Sequence, residues 1–144
     1  MHVLILGAGA LGSLFGARLL GTDGRLTLLS TDRKHMQAIR ETGLLVEELD
    51  GSQRRFAFPA AVDTPGLIGD PVDVVLVTVK AHDTQAAVSS VLACCHASTL
   101  FLTLQNGIGN GERIAQTAGA HAVLLGTTAQ GATYLGPGRI RHGG

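Results

Sequence analysis

The chain has 144 residues, of which 45% are hydrophobic and 15% charged, so it can form one domain with a buried core but not two. Its eleven basic and eleven acidic residues cancel, which excludes a global field that would attract nucleic acid or an anionic membrane surface. No apolar run approaches the roughly 18 residues of a membrane span, and the apolar strand at the second residue leaves no room for a secretion signal. We therefore expect a soluble, cytoplasmic protein without nucleic-acid or membrane partners.

The opening segment has the order strand, glycine turn and helix. An apolar strand starts at His2, and Gly7, Gly9 and Gly12 separate it from a helical pattern. In dinucleotide-binding folds the first glycine allows a tight turn, the second lets a pyrophosphate approach the backbone, and the third lets the helix pack on the strand. The alternative is a glycine-rich turn that binds nothing. We predict that the whole run binds a cofactor: Gly7, Ala8, Gly9, Ala10, Leu11 and Gly12.

The predicted elements continue as an alternation of strands and helices. The first helix ends in the turn 21–24, a strand covers 25–30, and Thr31 or Asp32 can cap a helix that stops at Gly43. Two β-like runs flank the turn pair Asp50-Gly51 and predict a hairpin inserted into the alternation; they cover 44–48 and 54–58.

The second half repeats the alternation and ends in β-rich, turn-rich chain. The further predicted elements are a strand at 73–79, a helix at about 83–95, a strand at 99–104, a helix at about 109–117, a strand at 122–125 and β-rich chain at 126–142. Such an alternation predicts parallel βαβ units with right-handed crossovers. We expect an α/β fold, a doubly wound, mostly parallel Rossmann sheet forming a single domain over 1–144.

Cysteines and histidines show no metal-binding or disulfide pattern. Cys94 and Cys95 are adjacent, which makes reduced packing residues a better interpretation than a redox pair. The six histidines are scattered without ligand spacing, so we predict no metal.

Two unusual residues follow predicted strands, where ligands bind in doubly wound sheets. Lys80 follows a strand that should be buried on both faces, so its charge either contacts a ligand at the strand mouth or reaches solvent. Asn106 precedes Gly107, so it either only forms a turn or bonds a nicotinamide ribose or a substrate oxygen.

The residues after the second strand bear on the choice of nucleotide. Counting about 20 positions from Gly12 reaches Asp32, an acidic residue of the kind that bonds the ribose diol in NAD-binding folds. The strand should end at residue 30, however, which places 30–31 at the ribose and Arg33, with Lys34 as a second cation, within reach of a 2′-phosphate. We favour NADP(H) and Arg33, while an exposed first helical turn capped by Asp32 remains the alternative.

Four groups of residues together resemble the ketopantoate reductase family, and their order along the chain is more specific than any one of them. They are Gly7-Ala8-Gly9-Ala10-Leu11-Gly12, Val79-Lys80-Ala81 with Asp83-Thr84, Gln105-Asn106-Gly107-Ile108-Gly109-Asn110, and Gly126-Thr127-Thr128 leading to Gly136-Pro137-Gly138 with His142.

This resemblance implies an NADPH-dependent reduction of 2-dehydropantoate (ketopantoate), or of a similar branched 2-keto acid, to the 2-hydroxy acid, a step towards pantothenate. It implies that Lys80 and Asn106 line the cofactor and substrate cleft, and that the backbone of Ala132 touches the cofactor. Where many relatives have an arginine directly after the second strand, this chain has Thr31-Asp32 and offers Arg33 slightly later.

The resemblance also implies a second, mostly helical domain that supplies a proton-donating lysine and the groups that grip the substrate. We interpret the chain as the N-terminal domain, holding no catalytic residue and inactive alone, with an apolar face through which copies could associate. Two alternatives remain: another NAD(P)-dependent 2-keto acid or 2-hydroxy acid dehydrogenase, and a nucleotide-binding module without catalysis.

Overall fold

The computed structural model describes residues 1–58 and 60–144, and in this part strands and helices alternate as the sequence predicts. The strands are β1 (His2–Leu6), β2 (Arg25–Leu29), β3 (Leu44–Glu47), β4 (Gln53–Phe56), β5 (Ala61–Val62), β6 (Val72–Val77), β7 (Cys95–Thr103), β8 (Ala122–Leu125), β9 (Ala132–Gly136) and β10 (Arg139–His142). The α-helices are α1 (Ala10–Leu19), α2 (Arg33–Thr42), α3 (Thr84–Val91) and α4 (Asn110–Ala118).

Six strands form the main sheet, in the order β5-β2-β1-β6-β7-β8, and every neighbouring pair is parallel. Strands β1, β2 and β5 therefore follow one another from the centre to one edge, and β6, β7 and β8 follow one another from the centre to the other edge. This confirms the predicted doubly wound parallel sheet. In such a sheet the crevice between β1 and β6, where the direction of winding reverses, is the expected ligand site.

Successive side chains of each strand point to opposite faces of the sheet and pack in two apolar layers, one on each face. Val77 packs in one layer with Val88 of α3 and Ile114 of α4. Leu76 packs in the other layer with Leu14 of α1. Each of these five side chains is at most 5% exposed, so both faces of the sheet are covered.

The hairpin that the sequence predicts forms, with β3 and β4 antiparallel, but it belongs to a second sheet in the order β4-β3-β10-β9. Strand β10 pairs parallel with β3 and antiparallel with β9. Leu44, Val46 and Ile140 have no exposed surface and pack on the same layer as α1. The chain following the last strand of the main sheet thus returns to cover α1, a pairing with no local signal in the sequence.

The bounds of two predicted elements differ from the predictions, and one strand was not predicted. Strand β6 ends at Val77 and not at residue 79, and just beyond it the Thr78 hydroxyl donates to the carbonyls of Leu6 and Gly7 at the end of β1. The third helix ends at Val91, and Cys95 already starts β7. The two-residue strand β5 is too short to show a periodicity in the sequence.

The two cysteines have the surroundings of packing residues. Cys94 and Cys95 are free and partly buried, and burial raises the pKa of both thiols, as expected for packing residues.

The described residues contain no group of three or more His, Cys, Asp and Glu side chains placed to hold a metal ion. No helix in the same ranges has the length and apolar character needed to cross a bilayer.

A buried histidine joins the second sheet to the glycine turn. His35 of α2 has no exposed surface, and its Nδ1 accepts the N–H of Gly138 from the β9–β10 turn at 2.9 Å. Nδ1 therefore carries no proton, and Nε2–H donates to Ser13 Oγ at 3.0 Å, which in turn donates to the Ala8 carbonyl at 3.2 Å. This relay requires a neutral imidazole. Burial lowers the pKa of His35, against a weaker opposing attraction from Asp32.

Acidification is expected to weaken folding through His35. Because the pKa of His35 is depressed in the folded chain, the unfolded chain binds the proton more readily once the pH falls below the ordinary value of 6.5. The free energy of unfolding should therefore fall from about pH 7 to about pH 5, and this contribution should be constant above pH 7. Urea unfolding at a series of pH values measures it.

The matched variant is His35→Gln, whose amide can accept from Gly138 and donate to Ser13 without titrating. We expect it to be about 1–3 kcal/mol less stable near neutral pH and to lose less stability on acidification than the wild type. Identical pH slopes in the two proteins would contradict this role of His35.

Candidate functional site

Two of the three glycines are required by close backbone contacts. Gly7 has φ +102°, and a Cβ at this position would lie 2.6 Å from the Val79 nitrogen. A Cβ at Gly12 would collide with the Gly7 carbonyl oxygen and lie 2.6 Å from Thr78 Oγ1. Gly9 differs, because the nearest atom to its Cβ position is the Gly7 oxygen at 4.0 Å. The first and third glycines therefore bring α1 against the sheet, and the second leaves the surface open.

The backbone N–H groups of this turn divide into two sets. Those of Gly7 and Ala8 both donate to the Leu29 carbonyl, at 3.0 and 2.8 Å, and that of Gly9 donates to Gly7 at 2.7 Å. The next three N–H groups make no backbone hydrogen bond within the described residues, and Gly9 provides no capping side chain. They belong to Ala10, Leu11 and Gly12. Unpaired amides at the positive end of a helix dipole are suited to binding an anion.

A cleft of about 730 Å³ lies along the carboxyl ends of β1, β2 and β6, directly above these amides. Its lining is mostly apolar, with a few polar groups at the strand ends, as in many ligand sites. Six of the predicted cofactor residues line it: Gly7, Gly9, Ala10, Leu11, Lys80 and Ala132. Ala8 and Gly12 are buried beneath it, and Arg33 is exposed at the start of α2.

Lys80 and Asn106 are brought together by the fold. Both line a recess of about 240 Å³ that shares Lys80, Leu11 and Thr78 with the larger cleft. The side chain of Lys80 is exposed, and the described part of the chain offers it no ion pair. The strand-mouth position predicted for both residues is therefore confirmed, and their ligands stay a prediction.

Gln105 connects the two loops that carry Lys80 and Asn106, a role that the sequence analysis missed. Its Nε2 donates to the Val79 carbonyl at 2.6 Å and to Thr84 Oγ1 at 2.9 Å. A polar residue directly after a buried strand was the signal available in the sequence, but the partner loop lies more than twenty residues away.

Asp32 caps α2, which settles the choice between Thr31 and Asp32. Its Oδ1 accepts the backbone N–H of His35 at 3.0 Å, and its Oδ2 accepts the Tyr134 hydroxyl at 3.0 Å. The His35 bond, and to a smaller extent the Tyr134 bond, lower the pKa of Asp32. Ser30 and Thr31 line the cleft beside it, whereas Asp32 does not.

The parallel sheet, the glycine turn and the open amides above it define a Rossmann domain of the dinucleotide-binding class. The profile of the family described as "Ketopantoate reductase PanE/ApbA" matches residues 3–144. The chain belongs to this family.

Similar proteins agree with this assignment. The chain is 40% identical over 144 residues to a 2-dehydropantoate 2-reductase of Halobacterium salinarum, covering all of this chain and 46% of that protein. It superimposes with a TM-score of 0.85 and 32% identity on a PanE/ApbA family ketopantoate reductase from Ralstonia eutropha, covering 100% of this chain and 47% of that one. A ternary structure of D-mandelate dehydrogenase with NADH and anilino(oxo)acetate gives a TM-score of 0.89 at 28% identity, covering 100% and 46%. The chain thus spans about half the length of the relatives that it matches.

Alanine substitutions at Gly12 and Gly9 should show that only the first of these glycines is required for packing. Gly12→Ala forces a methyl group against the Gly7 carbonyl, so we expect it to lower the free energy of unfolding by about 1–3 kcal/mol. Gly9→Ala is the control, because it meets no atom closer than 4.0 Å and should cost clearly less. Denaturant unfolding of both variants measures the difference, and an equal cost would contradict the packing described here.

Proposed function

We propose that this chain is the NADPH-binding domain of an enzyme that reduces 2-dehydropantoate to pantoate. The observation that carries the proposal is the set of unpaired amides at the start of α1, of which those of Ala10 and Leu11 open onto the cleft between β1 and β6. Family membership and the similarity to 2-dehydropantoate 2-reductases support the choice of reaction.

The cleft has distinct polar groups for each part of the nucleotide. The amides of Ala10 and Leu11 would hold the diphosphate, and Ser30 and Thr31, which follow β2, would face the adenosine ribose. At the other end, Lys80 and Asn106 would bind the nicotinamide ribose and the substrate. When bound, NADPH supplies the hydride for the keto carbon.

Lys80 gives this domain its cationic group at the reacting end. An exposed ammonium at the strand mouth would attract the carboxylate of a 2-keto acid, and the Asn106 amide can donate to a substrate oxygen. Gln105 would fix the distance between the two loops through its bonds to Val79 and Thr84. The chain therefore orients the reactants, and we assign the proton donor to the further helical domain that the family resemblance implies.

The preference for NADPH rests on the first turn of α2. Arg33 is exposed there, two residues after Thr31, which lines the cleft, and a guanidinium can bind a 2′-phosphate with two hydrogen bonds. Asp32 caps the helix, accepts from Tyr134 and does not line the cleft, which argues against a role as ribose acceptor.

A second candidate function is the oxidation or reduction of another 2-hydroxy or 2-keto acid with NADH. The similarity to the D-mandelate dehydrogenase structure, which holds NADH, favours it. Steady-state rates of the full-length gene product with NADPH and NADH, over a panel of 2-keto acids, discriminate the two. We expect ketopantoate with NADPH to give the highest kcat/KM, and a higher value for an aromatic 2-keto acid with NADH would favour the second candidate.

An apolar surface near β8 fits a covering domain. Ile108, Leu124 and Leu125 are 101%, 51% and 70% exposed. We propose that the part of the relatives' length that this chain does not span covers this face, and that copies of the isolated chain associate through it. The 144-residue chain alone should then bind NADPH without appreciable turnover of ketopantoate; turnover at an ordinary enzymatic rate would contradict this.

Replacing Arg33 tests the nucleotide preference. Arg33→Ala removes the proposed partner of the 2′-phosphate, so the Kd for NADPH should rise about tenfold, as for the loss of one charged hydrogen-bonded contact, while the Kd for NADH stays nearly unchanged. Because the chain has no tryptophan, binding can be followed by the fluorescence of the reduced nicotinamide. Lys34→Ala, which removes the neighbouring cation, should have the smaller effect. An equal loss of both nucleotides in Arg33→Ala would count against the assignment.

A further inference from the structure

The hydroxyl of Tyr134 is held at a fixed place beside the ribose end of the cleft. Tyr134 lies in β9, opposite the fully buried Ile140 of β10, and its ring meets the ring of His35 edge-on with centroids 5.1 Å apart. His35 is itself fixed by hydrogen bonds on both ring nitrogens. Although Tyr134 is 42% exposed, two buried neighbours therefore determine where its hydroxyl lies.

This hydroxyl holds a carboxylate whose place in the sequence would otherwise favour NADH. Asp32 stands about 20 residues after the glycine turn, where NAD-binding folds place the acceptor of the ribose diol. Its Oδ1 accepts the N–H of His35 and its Oδ2 accepts the hydroxyl of Tyr134, and Asp32 is not among the residues that line the cleft. A carboxylate turned into the cleft would accept from the ribose of NADH and repel the 2′-phosphate of NADPH.

We propose that Tyr134 is a positioning residue that sets the nucleotide preference by holding the Asp32 carboxylate away from the cleft. The inference rests on the proposed function, because it assigns the ribose to the end of the cleft beside Ser30 and Thr31. Tyr134 acts through Asp32 and not through the nucleotide. Its effect therefore appears in the ratio of the two affinities, which a general loss of structure would leave unchanged.

Tyr134→Phe removes the hydroxyl and keeps the ring against His35, so the fold is expected to persist; thermal unfolding checks this. The Kd of the full 144-residue chain for NADPH and NADH is measured in wild type, Tyr134→Phe, Asp32→Asn and the double variant. In Tyr134→Phe the ratio of the Kd for NADH to that for NADPH should fall about three- to tenfold, the range for one freed hydrogen-bonding group. In the Asp32→Asn background the same substitution should leave the ratio unchanged.

Asp32→Asn alone provides an independent test that does not depend on Tyr134→Phe. If the carboxylate is held away from the ribose, its neutralisation leaves the Kd for NADH within about twofold, because no bond to the ribose is lost. A weakening of NADH by tenfold or more would overturn the inference, since Asp32 would then be a ribose acceptor despite Tyr134.

The remaining outcomes separate this inference from the proposed function. Suppose that wild type prefers NADPH but Tyr134→Phe changes both affinities by the same factor; then only the role of Tyr134 is overturned. The same conclusion holds if Tyr134→Phe shifts the ratio of the Kd for NADH to that for NADPH equally in the wild-type and Asp32→Asn backgrounds. If wild type prefers NADH, the role of Tyr134 and the NADPH preference both fail, and nucleotide binding stands. If wild type binds neither nucleotide, the proposed function fails together with the inference.

Discussion

The contact between the backbone of α1 and the end of β1 is the constraint on which the rest of the site depends. Gly12 lies so close to the Gly7 carbonyl and to Thr78 that any side chain would separate helix and sheet. In this turn the amides of Gly7 and Ala8 donate to the Leu29 carbonyl of β2, and the amides that follow Gly9 have no backbone partner within the described residues. One packing requirement thus joins three elements and forms the proposed anion site at the point where the sheet changes its winding direction.

The second sheet extends this arrangement to the end of the cleft beside Ser30 and Thr31. Strands β9 and β10 return to α1 after the main sheet is complete, and they bring Ala132 to the cleft and Tyr134 to Asp32. The buried relay from Gly138 through His35 and Ser13 to Ala8 connects the far turn of this sheet to the glycine turn. Residues more than a hundred positions apart therefore share one hydrogen-bond network, and the shape of the nucleotide site depends on both sheets.

Much of the fold could be predicted because its signals are local. The glycine turn, the apolar strands and their parallel pairing follow from short patterns, and the common position of Lys80 and Asn106 could be predicted because residues after parallel strands meet at one edge. The role of His35 was not, because a histidine in an amphipathic helix looks the same whether it is a buried acceptor or a surface residue. Tyr134 and Gln105 were missed for a related reason: each acts on a residue distant in sequence, and no local pattern specifies the partner.

The most direct test of the account is to observe the open amides themselves on addition of NADPH. Amide proton and nitrogen correlation spectra of the chain, recorded during a titration with NADPH, report each backbone N–H separately. The account predicts the largest shift changes at Ala10 and Leu11, with smaller changes at Ser30, Thr31 and Lys80 around the cleft. Saturable changes that spare the start of α1, or no changes at millimolar nucleotide, would contradict it.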